Sequence, residues 1–215
     1  MQLIMVPALV TLAITILRLV GELQHWSKLF FNTSPGGGLA VIGISWLPFI
    51  FGPYFAVKLA RMGKGPANLA KTLRFSVVGF LFVLGGGVLG AVQKLHFPGK
   101  TVVVLAAVLI GIGLQVIGWI AWPSLFKTLL AYAYAARIPV AILMYFALSG
   151  QWGTHYDAIA PNYNGPTALW PEFAFIGLLP QLIGWPLYTL VVGSSFGAIA
   201  ATIARRDEPA LQTAS

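Results

Sequence analysis

The chain has no cysteine, which excludes disulfides, thiolate metal sites and a cysteine nucleophile. Charge is nearly as scarce: Asp and Glu together number 5, and charged residues make up 8% of 215 positions. So few charges cannot coat a water-soluble globule of this size. Basic residues are missing from the start as well. Met1 to Val10 carry no Lys or Arg and no small-residue cleavage site follows, so the first apolar segment is expected to be retained. No His-Glu-x-x-His pair occurs, and Gly85-Gly86-Gly87 lacks the strand and Lys-Ser/Thr context of a phosphate-binding loop.

What is present is apolar. Hydrophobic residues make up 58% and the mean hydropathy is +0.85, the signature of an integral membrane protein. The net charge of +8 would suggest nucleic acid in a soluble protein. Here the basic residues sit at the ends of apolar segments without a face of stacking aromatics, so orientation and anionic headgroups explain them better.

Six apolar segments are long enough to cross, at about Leu3 to Leu23, Leu39 to Ala60, Thr72 to Gln93, Thr101 to Trp122, Phe126 to Leu148 and Phe173 to Ala204. The expected fold is an all-α, polytopic six-transmembrane-helix bundle. Residues 1–204 form one membrane domain, and 205–215 form a short polar cytoplasmic tail. A doubled stretch organises it: Trp46-Leu47-Pro48-Phe49-Ile50-Phe51-Gly52-Pro53-Tyr54 is echoed by Leu179-Pro180-Gln181-Leu182-Ile183-Gly184-Trp185-Pro186-Leu187-Tyr188. Interior prolines cost a soluble helix ~3 kcal/mol. In a membrane, neighbouring groups can satisfy the freed carbonyls, so spans two and six are expected to be bent helices.

Lys58, Arg61, Lys64, Lys71 and Arg74 surround one connection with no acid among them, which marks it as cytoplasmic. Both termini then face the cytoplasm, with a bacterial cytoplasmic membrane as the expected location. Spans two and six run parallel in this topology, unlike the halves of an inverted-repeat transporter. On span one, Arg18 and Glu22 are one turn apart and can pair. The long connection from Ser149 to Pro171 is rich in aromatics and should lie on the membrane or fold back as a lid.

Arg137 is the sharpest single residue. A charge near the bilayer centre costs a few kcal/mol and should face the interior. It could anchor a lipid phosphate, carboxylate or carbonyl, or pair with Gln115, Gln181 or a freed carbonyl. A pocket between spans two and six would be shaped by Pro48, Gly52, Pro180 and Gly184, with Arg137, Gln115 and Gln181 supplying polarity. On the expected outer side lie His25, His96 and His155, a candidate metal set, together with Glu22, Asp157 and Glu172, of which Asp157 and Glu172 could do acid–base chemistry with His155.

Trp46-Leu47-Pro48 with Gly52, Lys94-Leu95-His96-Phe97 between spans three and four, and Leu179-Pro180 entering span six together resemble the Insig (insulin-induced gene) family and its bacterial relatives. The resemblance implies a non-enzymatic bundle whose central pocket holds a sterol or other lipid. It also implies retention of partner membrane proteins in eukaryotes. The family's acidic connection between spans four and five is replaced here by Trp122-Pro123-Ser124-Leu125-Phe126-Lys127, so lipid binding carries over and sterol-regulated retention does not.

The leading expectation is a non-catalytic membrane protein with a regulatory role that binds a lipid or sterol-like ligand without a cofactor. The alternatives are a membrane enzyme acting on a lipid or quinone-like substrate through His155, Asp157 and Glu172, and a small transporter or accessory subunit. The partners expected are membrane lipid, then another membrane protein or a second copy of the chain, and not nucleic acid.

Overall fold

The computed structural model describes residues 2–38, 40–92 and 95–212, with side chains as far as 205. Lys94 of the 94–97 motif and Leu39, the expected start of span two, lie outside them. Among the described residues there are seven α-helices: α1 (Gln2–Leu23), α2 (Pro48–Arg61), α3 (Leu69–Ala91), α4 (Lys100–Ala121), α5 (Pro123–Gly150), α6 (Leu169–Phe173) and α7 (Trp185–Gln212). The protein is all-helical and multi-pass, as its composition dictates. Among the described residues five helical stretches are long and apolar enough to cross a membrane: α1, α3, α4, α5, and the continuous 37 residues of Leu169–Arg205.

The second expected span differs. α2 has 14 residues, about 21 Å of helix against a hydrocarbon core of ~30 Å. Pro48 does not bend it but is its first residue, where the missing N–H costs nothing. Only Pro53 lies inside the helix. Residues 40–47 form turns and bends. Termini on the same side would therefore require 40–61 to cross as an irregular apolar lead-in followed by α2.

The bend expected in the sixth span takes the form of two wide turns. Ala174–Leu178 and Pro180–Gly184 are π-helical. Leu179 N–H donates to the Ala174 carbonyl and Trp185 N–H to the Pro180 carbonyl, both five residues back. A π turn absorbs one extra residue, which accommodates the ladder donor Pro180 lacks. The polar C-terminal tail continues α7 to Gln212.

The chain divides into two compact units, Met1–Leu47 with Leu130–Tyr188, and Pro48–Leu129 with Thr189–Ser215. The second unit is held by close backbone approach. A Cβ on Gly79 would lie 2.7 Å from the Gly111 carbonyl oxygen, and one on Gly52 would collide with the backbone of Gly193. Small residues are how membrane helices gain dispersion contact without a hydrophobic driving force. Of the Gly85-Gly86-Gly87 run, Gly86 faces α4 at Ala107 and Val108, while Gly85 and Gly87 face open space. At the other end of this unit, Trp122 Nε1 and the Ser124 hydroxyl both donate to the Lys64 carbonyl, at 2.8 and 2.7 Å, tying down the basic connection.

In the first unit α1 turns its polar stripe inward. Thr11, Thr15, Arg18 and Glu22 are buried at helical spacing while Met5, Leu9, Leu12 and Ile16 are exposed. This is the pattern of a helix with lipid on its apolar side. The Thr11 hydroxyl lies 2.9 Å from that of Tyr132 in α5. Tyr145 packs Trp170 and Phe173 at ring-centroid distances of 4.9 and 5.3 Å, anchoring α6.

Candidate functional site

The site grows from the end of α1. Arg18 Nε donates to Glu22 Oε1 at 2.8 Å, the pairing its four-residue spacing allows. Its Nη2 donates to the carbonyls of Asn32 and Gly37, at 3.2 and 3.0 Å. The glycine run makes this possible. Gly37 has φ +79, and any Cβ there would collide with the Arg18 guanidinium. The Ser-Pro-Gly-Gly-Gly stretch thus brings one backbone oxygen, that of Gly37, onto a buried cation, beside that of Asn32 just before it.

Glu22 is fully enclosed and bridges to the 151–168 connection. His155 donates its backbone N–H to Glu22 Oε2 at 2.8 Å, and its ring Nδ1 lies 2.6 Å from Oε1 and 2.8 Å from Oε2. Burial holds the His155 imidazole below its ordinary value near 6.5, against the Glu22 hydrogen bond that works the other way; nearby Arg18 also lowers it. Burial likewise pushes the Tyr156 phenol up. Its hydroxyl donates to the Thr15 carbonyl at 3.3 Å.

Asp157 does not partner His155. It caps the preceding turn, accepting from the backbone N–H of Gly153 and of Thr154, each at 2.8 Å, and from the Thr154 hydroxyl at 2.7 Å. This is the local bonding Asp favours in turns. Glu172 is buried in α6 and is not among the cavity's lining residues. His25 and His96 are exposed, and His96 lies in the other unit. Among the described residues no group of three His, Asp or Glu could hold a metal ion.

Within the first unit these side chains wall a cavity of about 210 Å³. Arg18, His155 and Tyr156 line one part, Arg137, Gln181 and Trp185 another, and Ile44, Val140, Met144 and Ile176 supply apolar surface. Residues of the long connection thus fold back as wall. Arg137 is 4% exposed and is held by weak contacts. Its Nη1 donates to Gln181 Oε1 over a long 3.4 Å, and its Cζ sits 4.3 Å from the centroid of the Trp185 ring. No carboxylate pairs with it among the described residues.

The other candidates fall in different places. Pro180 lines the cavity. Gly184, at the far end of the same π turn, is exposed and does not. Pro48 and Gly52 belong to the second unit, as does Gln115. Gln115 is fully buried in a satisfied network, donating to the Ser76 carbonyl at 2.7 Å and the Ser195 hydroxyl at 3.0 Å, and accepting from the Ser194 hydroxyl at 3.0 Å.

The sequence reading left out Thr15, Tyr156 and Trp185 as wall and Glu22 as the partner of His155. The inward face of α1 could have been found from its polar residues at positions 11, 15, 18 and 22, which fall on one side of a helix. No protein-family model matches this chain, nor does any curated protein or solved structure, and the resemblance to the Insig family therefore gains nothing from them.

Proposed function

We propose that this protein binds the anionic head of a membrane amphiphile in the cavity walled by Arg137, Arg18 and His155, without catalysis. The observation that carries the reading is Arg137. A guanidinium has five donors, and this one, almost wholly buried, spends one of them on a 3.4 Å contact and faces a cavity. Leaving such a charge unpaired is costly, and a carboxylate or phosphate would take two donors at once. Arg18 is already neutralised by Glu22, so the cavity carries one uncompensated positive charge and suits a monoanion.

The volume narrows the ligand further. At about 210 Å³ the cavity is smaller than the ~300–1,000 Å³ that encloses a whole drug-sized molecule. It accommodates a head, with acyl chains leaving along Ile44, Val140 and Met144. In the topology expected from the sequence, the end of α1 and the 151–168 connection, which supply Arg18 and His155, lie on the outer side. The Insig resemblance points the same way, to a lipid pocket with a regulatory role.

The test is mass spectrometry of the lipid that stays with the protein after gentle detergent extraction, for the wild type and Arg137→Gln. A stoichiometric anionic amphiphile lost in the variant is the expected result. No retained lipid, or equal retention in a folded variant, would remove the proposal. A second reading, acid–base chemistry on the bound ligand, has the Glu22–His155 pair in its favour. Turnover of the retained lipid, abolished in His155→Gln, would select it.

A further inference from the structure

The wall opposite Arg137 restricts the ligand in a second way. Glu22 accepts from Arg18 Nε and from the His155 backbone N–H, each at 2.8 Å. Two donors, one of them a guanidinium, keep a carboxylate ionised, and an ionised carboxylate only accepts. The imidazole Nδ1, 2.6 Å from one of its oxygens, therefore carries the ring proton. In the neutral ring that burial favours, Nε2 is a bare lone pair. No donor among the described residues reaches it.

Of the hydroxyls on the wall, Thr15 donates to the Thr11 carbonyl at 2.9 Å and Tyr156 to the Thr15 carbonyl at 3.3 Å, so their protons are committed, while the exposed Ser45 hydroxyl can turn to either role. The cavity thus presents a multiple donor at Arg137 and an acceptor at His155. Resting on the reading that an anionic amphiphile occupies the site, we infer that its head also bears a hydroxyl, which donates to His155 Nε2 while the oxyanion lies on Arg137. Phosphodiesters with a hydroxylated alcohol carry this pair of groups; simple fatty acids and choline lipids lack the donor, and ethanolamine lipids, whose ammonium could donate, lack the net negative charge.

Phosphatidylglycerol and phosphatidylethanol separate the two requirements, since both are monoanionic phosphodiesters and only the first has free hydroxyls. Native mass spectrometry of the full-length protein titrated with each should show phosphatidylglycerol bound about tenfold more tightly, the worth of one good buried hydrogen bond. His155→Phe should equalise the two lipids while keeping the loss of affinity on Arg137→Gln. Equal affinity in the wild type would overturn the hydroxyl requirement and leave the Arg137 reading standing, and it needs no variant to fold. Binding of neither lipid by folded protein would overturn the Arg137 reading itself. Displacement of phosphatidylglycerol by soluble glycerophosphate would support the same recognition with a water-soluble ligand as its source.

Discussion

Replacing Glu22 by Gln should cost about 3 kcal/mol of stability. Glu22 is 1% exposed and Arg18 9%, so solvent screens their 2.8 Å contact little. Breaking a buried pair by removing one charge costs ~3–5 kcal/mol, because the remaining charge is left uncompensated. Here the loss falls at the low end, since Arg18 keeps the carbonyls of Asn32 and Gly37 and Gln can still accept from the His155 backbone. An equilibrium unfolding curve in detergent micelles should move by roughly a hundredfold in the unfolding constant. Adding Arg18→Met should recover part of the loss by removing the stranded cation. A loss under about 0.5 kcal/mol for Glu22→Gln alone would refute the reasoning, because a carboxylate that cheap to neutralise is hydrated.

The remaining expectations use other parts of the molecule. Because burial lowers the folded-state pKa of His155, the unfolded chain takes up its proton first as pH falls; stability should decline from about pH 6.5 downward, and His155→Gln should flatten that slope in melts at pH 7 and pH 5. Gly79→Val, which would force atoms within 2.7 Å of the Gly111 carbonyl, should destabilise by ~1–3 kcal/mol, whereas Gly85→Ala, facing open space within α3, should be neutral or gain up to ~1 kcal/mol. Gln115→Leu should cost ~1–2 kcal/mol in the same assay without altering lipid retention, since its partners Ser76, Ser194 and Ser195 all belong to the second unit.

Local features of the site were legible in the sequence, and features that depend on distant contacts were not. Arg18 with Glu22 follows from helical spacing, and the inward face of Arg137 follows from the cost of a charge in lipid. Gln181 was a candidate partner for Arg137 on polarity alone. The Glu22–His155 contact joins residues 133 apart in sequence, and no spacing rule reaches that far. Asp157 was expected beside His155 because it is two residues away, yet that proximity places it in the turn, where backbone N–H groups claim both its oxygens. Where the helix of the second expected span begins was not legible for a related reason. Residues 40–47 are as apolar as a helix, and hydropathy does not distinguish apolar turns from an apolar helix that begins at Pro48.

The most direct measurement is an experimental density map of the protein in a bilayer nanodisc containing anionic lipid. A head-group feature in the cavity, with oxygens about 3 Å from the Arg137 guanidinium, is the expected result. A water-filled cavity, with Arg137 still held only by Gln181 and Trp185, would contradict it.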